Sequence, residues 1–135
     1  MQNPFETEER KAFRESVTRL VENEVVPNID EWDEAGAIPW ELHEKFGALG
    51  VFGFGVDEQF GGLGFDDMFL RAAYSEELGR SGSGGLWAGL NGRSISIEPI
   101  QKFARDDIRQ RVLPDVVAGR KSSSLAITEP SGGSD

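Results

Sequence analysis

Apolar residues in this sequence recur every three or four positions from Thr7 to Gly119, and Pro or Gly interrupts the rhythm at short intervals. A chain patterned this way is confined to short helices packed on one another, because each apolar stripe must be buried against a neighbour. Phe13, Val17, Leu20, Val21 and Val25 share one face of a first segment that runs toward Glu34. Thr7-Glu8-Glu9-Arg10 brings acidic groups to its first turn, where the helix dipole favours them. Pro27 lacks an N–H and clashes with the preceding turn, so the segment kinks or breaks near Val26-Pro27. Gly36 ends the second piece as a left-handed cap.

The same grammar continues downstream. Pro39 opens a helix to Leu49 that buries Leu42, Phe46 and Leu49, and Gly50 closes it. Val51–Val56 reads as a short extended piece with alternating Gly, followed by a Gln59–Gly64 loop. Asp66 or Asp67 caps a third helix to about Leu78. Ser81–Gly85 is a linker or flexible helix entry, and a fourth apolar helix covers roughly Leu86 to Phe103. Asp106 caps a fifth, in which Pro114 starts a fresh turn and Gly119 ends the run.

Composition narrows the function classes. A chain of 135 residues is the size of one ordinary domain. With no Cys it has no disulfide, thiolate zinc site or cysteine nucleophile, which suits a reducing compartment. The formal charge of 14 − 24 = −10 argues against a nucleic-acid surface, which needs a basic face. No apolar run approaches the ~20 residues of a membrane span, and Met1-Gln2-Asn3-Pro4 does not open a signal peptide. Gly, at 17 of 135, is in excess.

After Gly119 the character changes. Ser122–Thr128 reads as a strand and Pro130–Ser134 as a loop. The segment Ala126-Ile127-Thr128-Glu129-Pro130-Ser131-Gly132-Gly133-Ser134-Asp135 gathers hydroxyls, a carboxylate and two adjacent Gly. Adjacent Gly let backbone N–H groups approach a ligand, and a run of free N–H groups forms an anion-binding concavity. Thr128 at a strand end offers a hydroxyl and an N–H to a planar polar heterocycle. An ordinary acidic turn is the competing reading.

These residues carry a resemblance. The ten-position segment 126–135 resembles the first signature of the acyl-CoA dehydrogenase family. Further matches follow in order upstream: Asp57-Glu58-Gln59-Phe60-Gly61-Gly62-Leu63-Gly64, Ser75-Glu76-Glu77-Leu78-Gly79, and Val112-Leu113-Pro114 with Gly119. Glu31–Gly36 with Pro39 looks closest to long-chain members. The resemblance implies an all-α N-terminal helical domain over residues 1–120, followed over 121–135 by the first strand and FAD loop of a truncated middle β-barrel domain. It places Leu125, Ile127, Thr128, Gly133 and Ser134 at FAD, with Thr128 on the polar edge of the isoalloxazine. Leu125 stands where many relatives have an aromatic residue. Ser134 also meets the CoA portion of an acyl-CoA substrate, and Leu86, Trp87 and Leu90 line the acyl chain. Simple core packing is the competing reading of those three apolar residues. Asn91 stands where many relatives carry His, and Ala104 where they have Gly.

The implied reaction is α,β-dehydrogenation of an acyl-CoA thioester in fatty-acid β-oxidation, with electrons passed on to electron-transfer flavoprotein by a homotetrameric flavoprotein. Its compartment is the bacterial cytoplasm, or the mitochondrial matrix in a eukaryote, the cytoplasm being favoured. The family's catalytic Glu lies far downstream, so no catalytic residue is expected among these 135 and the piece alone is expected to be inactive. An acyl-CoA oxidase-like flavoenzyme and a non-catalytic short binding or assembly module are the alternatives. The remaining signals are bland. His43 is the sole His and reads as a surface or packing residue. Asp30, Glu31, Asp33 and Glu34 read as a solvated helix end, and no metal site is expected.

Overall fold

The computed structural model describes residues 5–124 and 126–133. Seven α-helices appear among them: α1 Glu8–Leu20, α2 Ile29–Ala35, α3 Trp40–Ala48, α4 Met68–Gly79, α5 Gly84–Asn91, α6 Ser94–Phe103 and α7 Asp106–Val117. Caps written in the sequence set several boundaries. Thr7 accepts from the Arg10 N–H at 3.2 Å, and Asp67 accepts from the Phe69 N–H at 2.8 Å. Gly36 ends α2 at φ 63°, the left-handed conformation expected of it.

The first helix differs in one respect. Beyond Leu20 it continues through a π-helical turn, Val21–Val25, before the break ahead of α2. That wider turn keeps Val17, Val21 and Val25 all buried on the same core. Charged pairs fix α1 across α4: Arg14 meets Glu77 at 2.9 Å and Arg10 meets Asp67 at 2.8 Å.

Two apolar clusters fill the interior. The larger joins α1, α3, α4 and α5 through Phe46, Tyr74, Leu78, Leu86 and Leu90, and takes in the loop residues Val51, Phe52 and Phe54. The smaller joins α6 and α7 to the short helical turn Glu58–Phe60 through Phe60, Ile97, Leu113 and Val116. Each fully buried Leu or Phe contributes roughly 1.5–3 kcal/mol of apolar transfer free energy. The stretch expected to be extended, Val51–Val56, is instead a series of tight turns, closed by bonds from Leu63 N–H to Gly53 and from Gly64 N–H to Val56.

Glycine decides how α3 meets α7. A Cβ on Gly47 would lie 2.4 Å from the Ala118 carbonyl oxygen, and one on Gly119 would lie 2.2 Å from that of His43. The two backbones therefore touch with no side chain between them.

Three boundary expectations are corrected. The helix expected from Leu86 to Phe103 is two, α5 and α6, separated at Gly92-Arg93. Asn91 and Gly92 are poor helix formers, and Ser94 Oγ donates to the Asn91 carbonyl at 2.7 Å, turning the chain there. Asp106 is the first residue of α7 rather than its cap, a position taken by Arg105. The third correction concerns fold class: the described residues are all-α, and among them the expected β-barrel strand does not form at 122–124 or 126–128. A strand exists only as part of a ladder, and among the described residues no second extended segment runs beside 122–128. The sole pairing there is a bridge between Glu129 and Gly132 across a turn.

Candidate functional site

A cleft of about 440 Å³ opens between α5 and the 36–40 connection that joins α2 to α3. Trp32, Ile38, Trp40, Leu86 and Gly89 form its walls, His43 its floor, and Ser122 part of its rim. Ser83 holds the cleft's two sides together: it caps α5 by accepting from the Leu86 N–H at 3.0 Å and donates to Asp33 Oδ1 at 2.7 Å. Gly89 lies against Ile38 on the wall: a Cβ there would stand 2.8 Å from Ile38 Cδ1, so that side chain would have to shift.

Behind the floor lies a buried cation. Arg93, only 1 % exposed, sits at the α5–α6 break. Its Nη2 is 2.7 Å from His43 Nδ1, and its guanidinium carbon lies 4.1 Å from the centre of the Phe52 ring. A guanidinium donates and never accepts, so His43 Nδ1 is the bare nitrogen and the imidazole proton is on Nε2. Burial, and secondarily the Arg93 charge, lowers the His43 pKa to about 4. Burial also pulls Arg93 below the usual arginine range and pushes the Tyr74 phenol up. Arg93 Nε and Nη1 have no hydrogen-bond partner among the described residues. The cation–π contact and the single imidazole bond are the compensation visible for this charge.

The chain leaving α7 crosses the same region. The backbone N–H groups of Arg120 and Lys121 both donate to the Asp115 carbonyl, at 2.8 and 3.1 Å. Their side chains also meet the Asp115 carboxylate, at 2.8 and 2.6 Å, and these bonds hold its pKa below the usual carboxylate range. Trp40 Nε1 donates to the Arg120 carbonyl at 3.1 Å. Ser123 Oγ lies 2.6 Å from Ser96 Oγ and 3.4 Å from the Arg93 carbonyl. Beyond Ser123 the hydrogen bonds among the described residues are those of the 129–132 turn alone.

The residues singled out from sequence fall into two places. Thr128 and Gly133 face each other across the 129–132 turn, with a Gly133 Cβ position 3.7 Å from Thr128 Cγ2. Both are exposed, as is Ile127 at 73 %. Leu125 and Ser134 lie outside the described residues. On α5, Leu86 and Leu90 are buried in the main cluster, Leu86 at the wall of the cleft, whereas Trp87 is 47 % exposed. Asp30, Glu31, Asp33 and Glu34 do not assemble, and among the described residues no group of three His, Asp or Glu side chains is placed to hold a metal. Among the described residues no helix is long and apolar enough to cross a membrane.

Sequence reasoning passed over Arg93, Ser96 and Ser123. Arg93 had a readable signal, being the one cation between Arg80 and Lys102 in a run otherwise rich in apolar and small residues. The Ser96–Ser123 contact had none, because 27 residues separate them. His43 is the buried packing residue rather than the surface one, with a specific partner.

Comparison with known proteins points to one family. The family model for the acyl-CoA dehydrogenase N-terminal domain matches residues 7–120. The mitochondrial long-chain specific acyl-CoA dehydrogenase of Sus scrofa is 34 % identical over 127 residues, covering 94 % of this chain and 29 % of the relative. A Mycobacterium smegmatis structure assigned as an acyl-CoA dehydrogenase superposes with a TM-score of 0.86 at 37 % identity, over 98 % of this chain and 35 % of that one. A Bacillus anthracis acyl-CoA dehydrogenase, solved complexed with FAD, gives 0.77 at 27 % identity, over 100 % of this chain and 23 % of that one. The chain thus spans about a third or less of the length of these relatives. With a family match over its whole helical part, the chain belongs to the acyl-CoA dehydrogenase family, as its N-terminal domain.

Proposed function

We propose that these 135 residues are the N-terminal part of an FAD-dependent acyl-CoA dehydrogenase that removes the α- and β-hydrogens of an acyl-CoA thioester. The observation that carries this reading is the continuity of the family match over 7–120 with the Thr-Glu-Pro-Ser-Gly-Gly-Ser-Asp segment that follows it. Residues 1–120 serve as the helical unit and 121–135 as the approach to the cofactor.

The exposed turn fits the polar edge of a flavin. The Thr128 hydroxyl has no partner among the described residues, and the bridge of the turn uses the N–H groups of Glu129 and Gly132 but not those of Thr128 and Gly133. Donors left unused and exposed at a narrow turn suit a planar heterocycle rich in acceptors. Ile127 supplies an apolar contact beside them, and Leu125, Gly133 and Ser134 complete the set by resemblance. FAD, when bound, supplies the acceptor for the two electrons removed from substrate. The residues of this chain bind and orient it.

On the substrate side, Trp87 is the member of the α5 set with surface to offer an acyl chain, while Leu86 and Leu90 shape the helix that presents it. Ser134 is assigned to the CoA portion. No residue here is assigned the proton abstraction. Electron-transfer flavoprotein as acceptor, a homotetrameric assembly and a bacterial cytoplasmic or mitochondrial-matrix setting belong to the same proposal.

The deciding experiment is Thr128→Val in the enzyme that carries this chain. Its hydroxyl is lost and its volume kept, so FAD dissociates faster or its reduction potential shifts while the fold is unchanged. FAD content and potential equal to wild type would refute the assignment. Slow reaction of the substrate-reduced enzyme with oxygen is expected for a dehydrogenase, and rapid reaction would make it an oxidase.

A further inference from the structure

The exposed 126–133 segment is free of hydrogen bonds to the helices among the described residues, yet the chain just before it is fastened at one point to the α5–α6 junction. Ser96 Oγ, Ser123 Oγ and the Arg93 carbonyl form a triangle with edges of 2.6, 3.1 and 3.4 Å. Each hydroxyl carries one proton, so at most two edges are hydrogen bonds at once, and the short Ser96–Ser123 edge links residues that sequence keeps far apart. The corner on Arg93 does not move easily, because its guanidinium is buried between His43 and Phe52. Ser96 is likewise buried, at 4 %, so the anchor belongs to the core and Ser123 is what reaches it.

The same junction ends α5, the helix that presents Trp87. Nine residues before Gly132, and five before Thr128, the chain is thus referred to the helix proposed to contact the acyl chain. We infer that Ser123, held by Ser96 and the Arg93 carbonyl, is a positioning residue that sets the cofactor turn relative to α5. The inference rests on the FAD assignment of Thr128 and Gly133. The fastening upstream is separate: Trp40 and Asp115 hold residues 120 and 121 to α3 and α7, and among the described residues Ser123 is the last tie before the turn.

The test compares Ser123→Ala, Ser96→Ala, the double variant, Ser123→Thr and Thr128→Val in the FAD-loaded enzyme. Two readouts are followed: the rate of FAD release, and amide exchange over residues 120–124 in the FAD-free protein. Losing one neutral hydrogen bond corresponds to about a fivefold change in an equilibrium or rate. Ser123→Ala is expected to speed FAD release by about that factor and to raise exchange locally, with the melting temperature unchanged. Ser96→Ala has a smaller effect, because the Ser123 hydroxyl can still donate to the Arg93 carbonyl, the double variant is no worse than Ser123→Ala, and Ser123→Thr restores wild-type behaviour. If Thr128→Val speeds FAD release while Ser123→Ala does not, the positioning role is overturned and the cofactor assignment stands. If neither does, the cofactor assignment fails and takes the inference with it.

Discussion

Acidification from pH 7 to 5 tests the burial of His43 directly. Its folded pKa is about 4, against 6.5 for the free side chain, because burial and then the Arg93 charge oppose its protonation. A group whose folded pKa is lowered in this way holds its proton more tightly in the unfolded chain. For a base such as His, the stability contribution is complete above pH 6.5 and is lost as pH falls toward 4. At pH 5 the unfolded imidazole is ~97 % protonated and the folded one ~9 %, which costs about 2 kcal/mol, rising toward about 3 kcal/mol below pH 4. The carboxylates Asp67, Glu77, Glu98 and Asp115 are all held below their usual range, so they stay ionised through this window. The control is His43→Gln, whose amide oxygen accepts from Arg93 without titrating. Urea unfolding at pH 7 and pH 5 should show the wild type losing about 2 kcal/mol more than the variant. Proton NMR of His43, the sole histidine of these 135 residues, should give a titration midpoint well below 6. Parallel stability curves, or a midpoint near 6.5, would refute the buried neutral imidazole and with it the account of how Arg93 is held.

Other outcomes follow from single contacts. Gly119→Ala forces a side chain into φ 78° and onto the His43 carbonyl at 2.2 Å, and should cost at least about 3 kcal/mol in chemical denaturation. Gly47→Ala, which meets Ala118 from the other side, should be comparably damaging, and near-neutral values for both would mean that α3 and α7 are not in backbone contact. Ser83→Ala removes the α5 cap and the bond to Asp33, and should cost about 1–2 kcal/mol by thermal or urea unfolding, where Ser83→Asn, a good cap, should recover part of the loss.

Much of the helical layout was legible because its signals are local. Thr7 and Asp67 cap helices through their own side chains, Gly36 takes the left-handed turn it alone takes cheaply, and the spacing of Phe13, Val17, Val21 and Val25 names a buried face without reference to any partner. The same holds for the family: order and spacing of its motifs survive in the chain, whatever it packs against. Errors of two kinds remain, one local and one where a partner decides. The run from Leu86 to Phe103 has continuous helical character, yet Asn91, Gly92 and Ser94 turn it and Arg93 is drawn inward to His43 and Phe52. Ser122–Thr128 has the composition of a strand, but a strand is a property of two segments, and among the described residues this one has no second.

The sequence by itself therefore determined most of the helices, several of their caps and the family: helices and caps depend on residues within a turn or two of one another, and the family on the order of motifs along the chain. Only the tertiary structure decided that Gly47 and Gly119 bring two backbones into contact, that a lone arginine lies buried on an imidazole and a phenyl ring, and that Ser123 ties the chain after α7 to the α5–α6 junction. Those three depend on residues 27 to 76 positions apart, whose meeting is fixed by how the helices pack and by nothing in their local spelling.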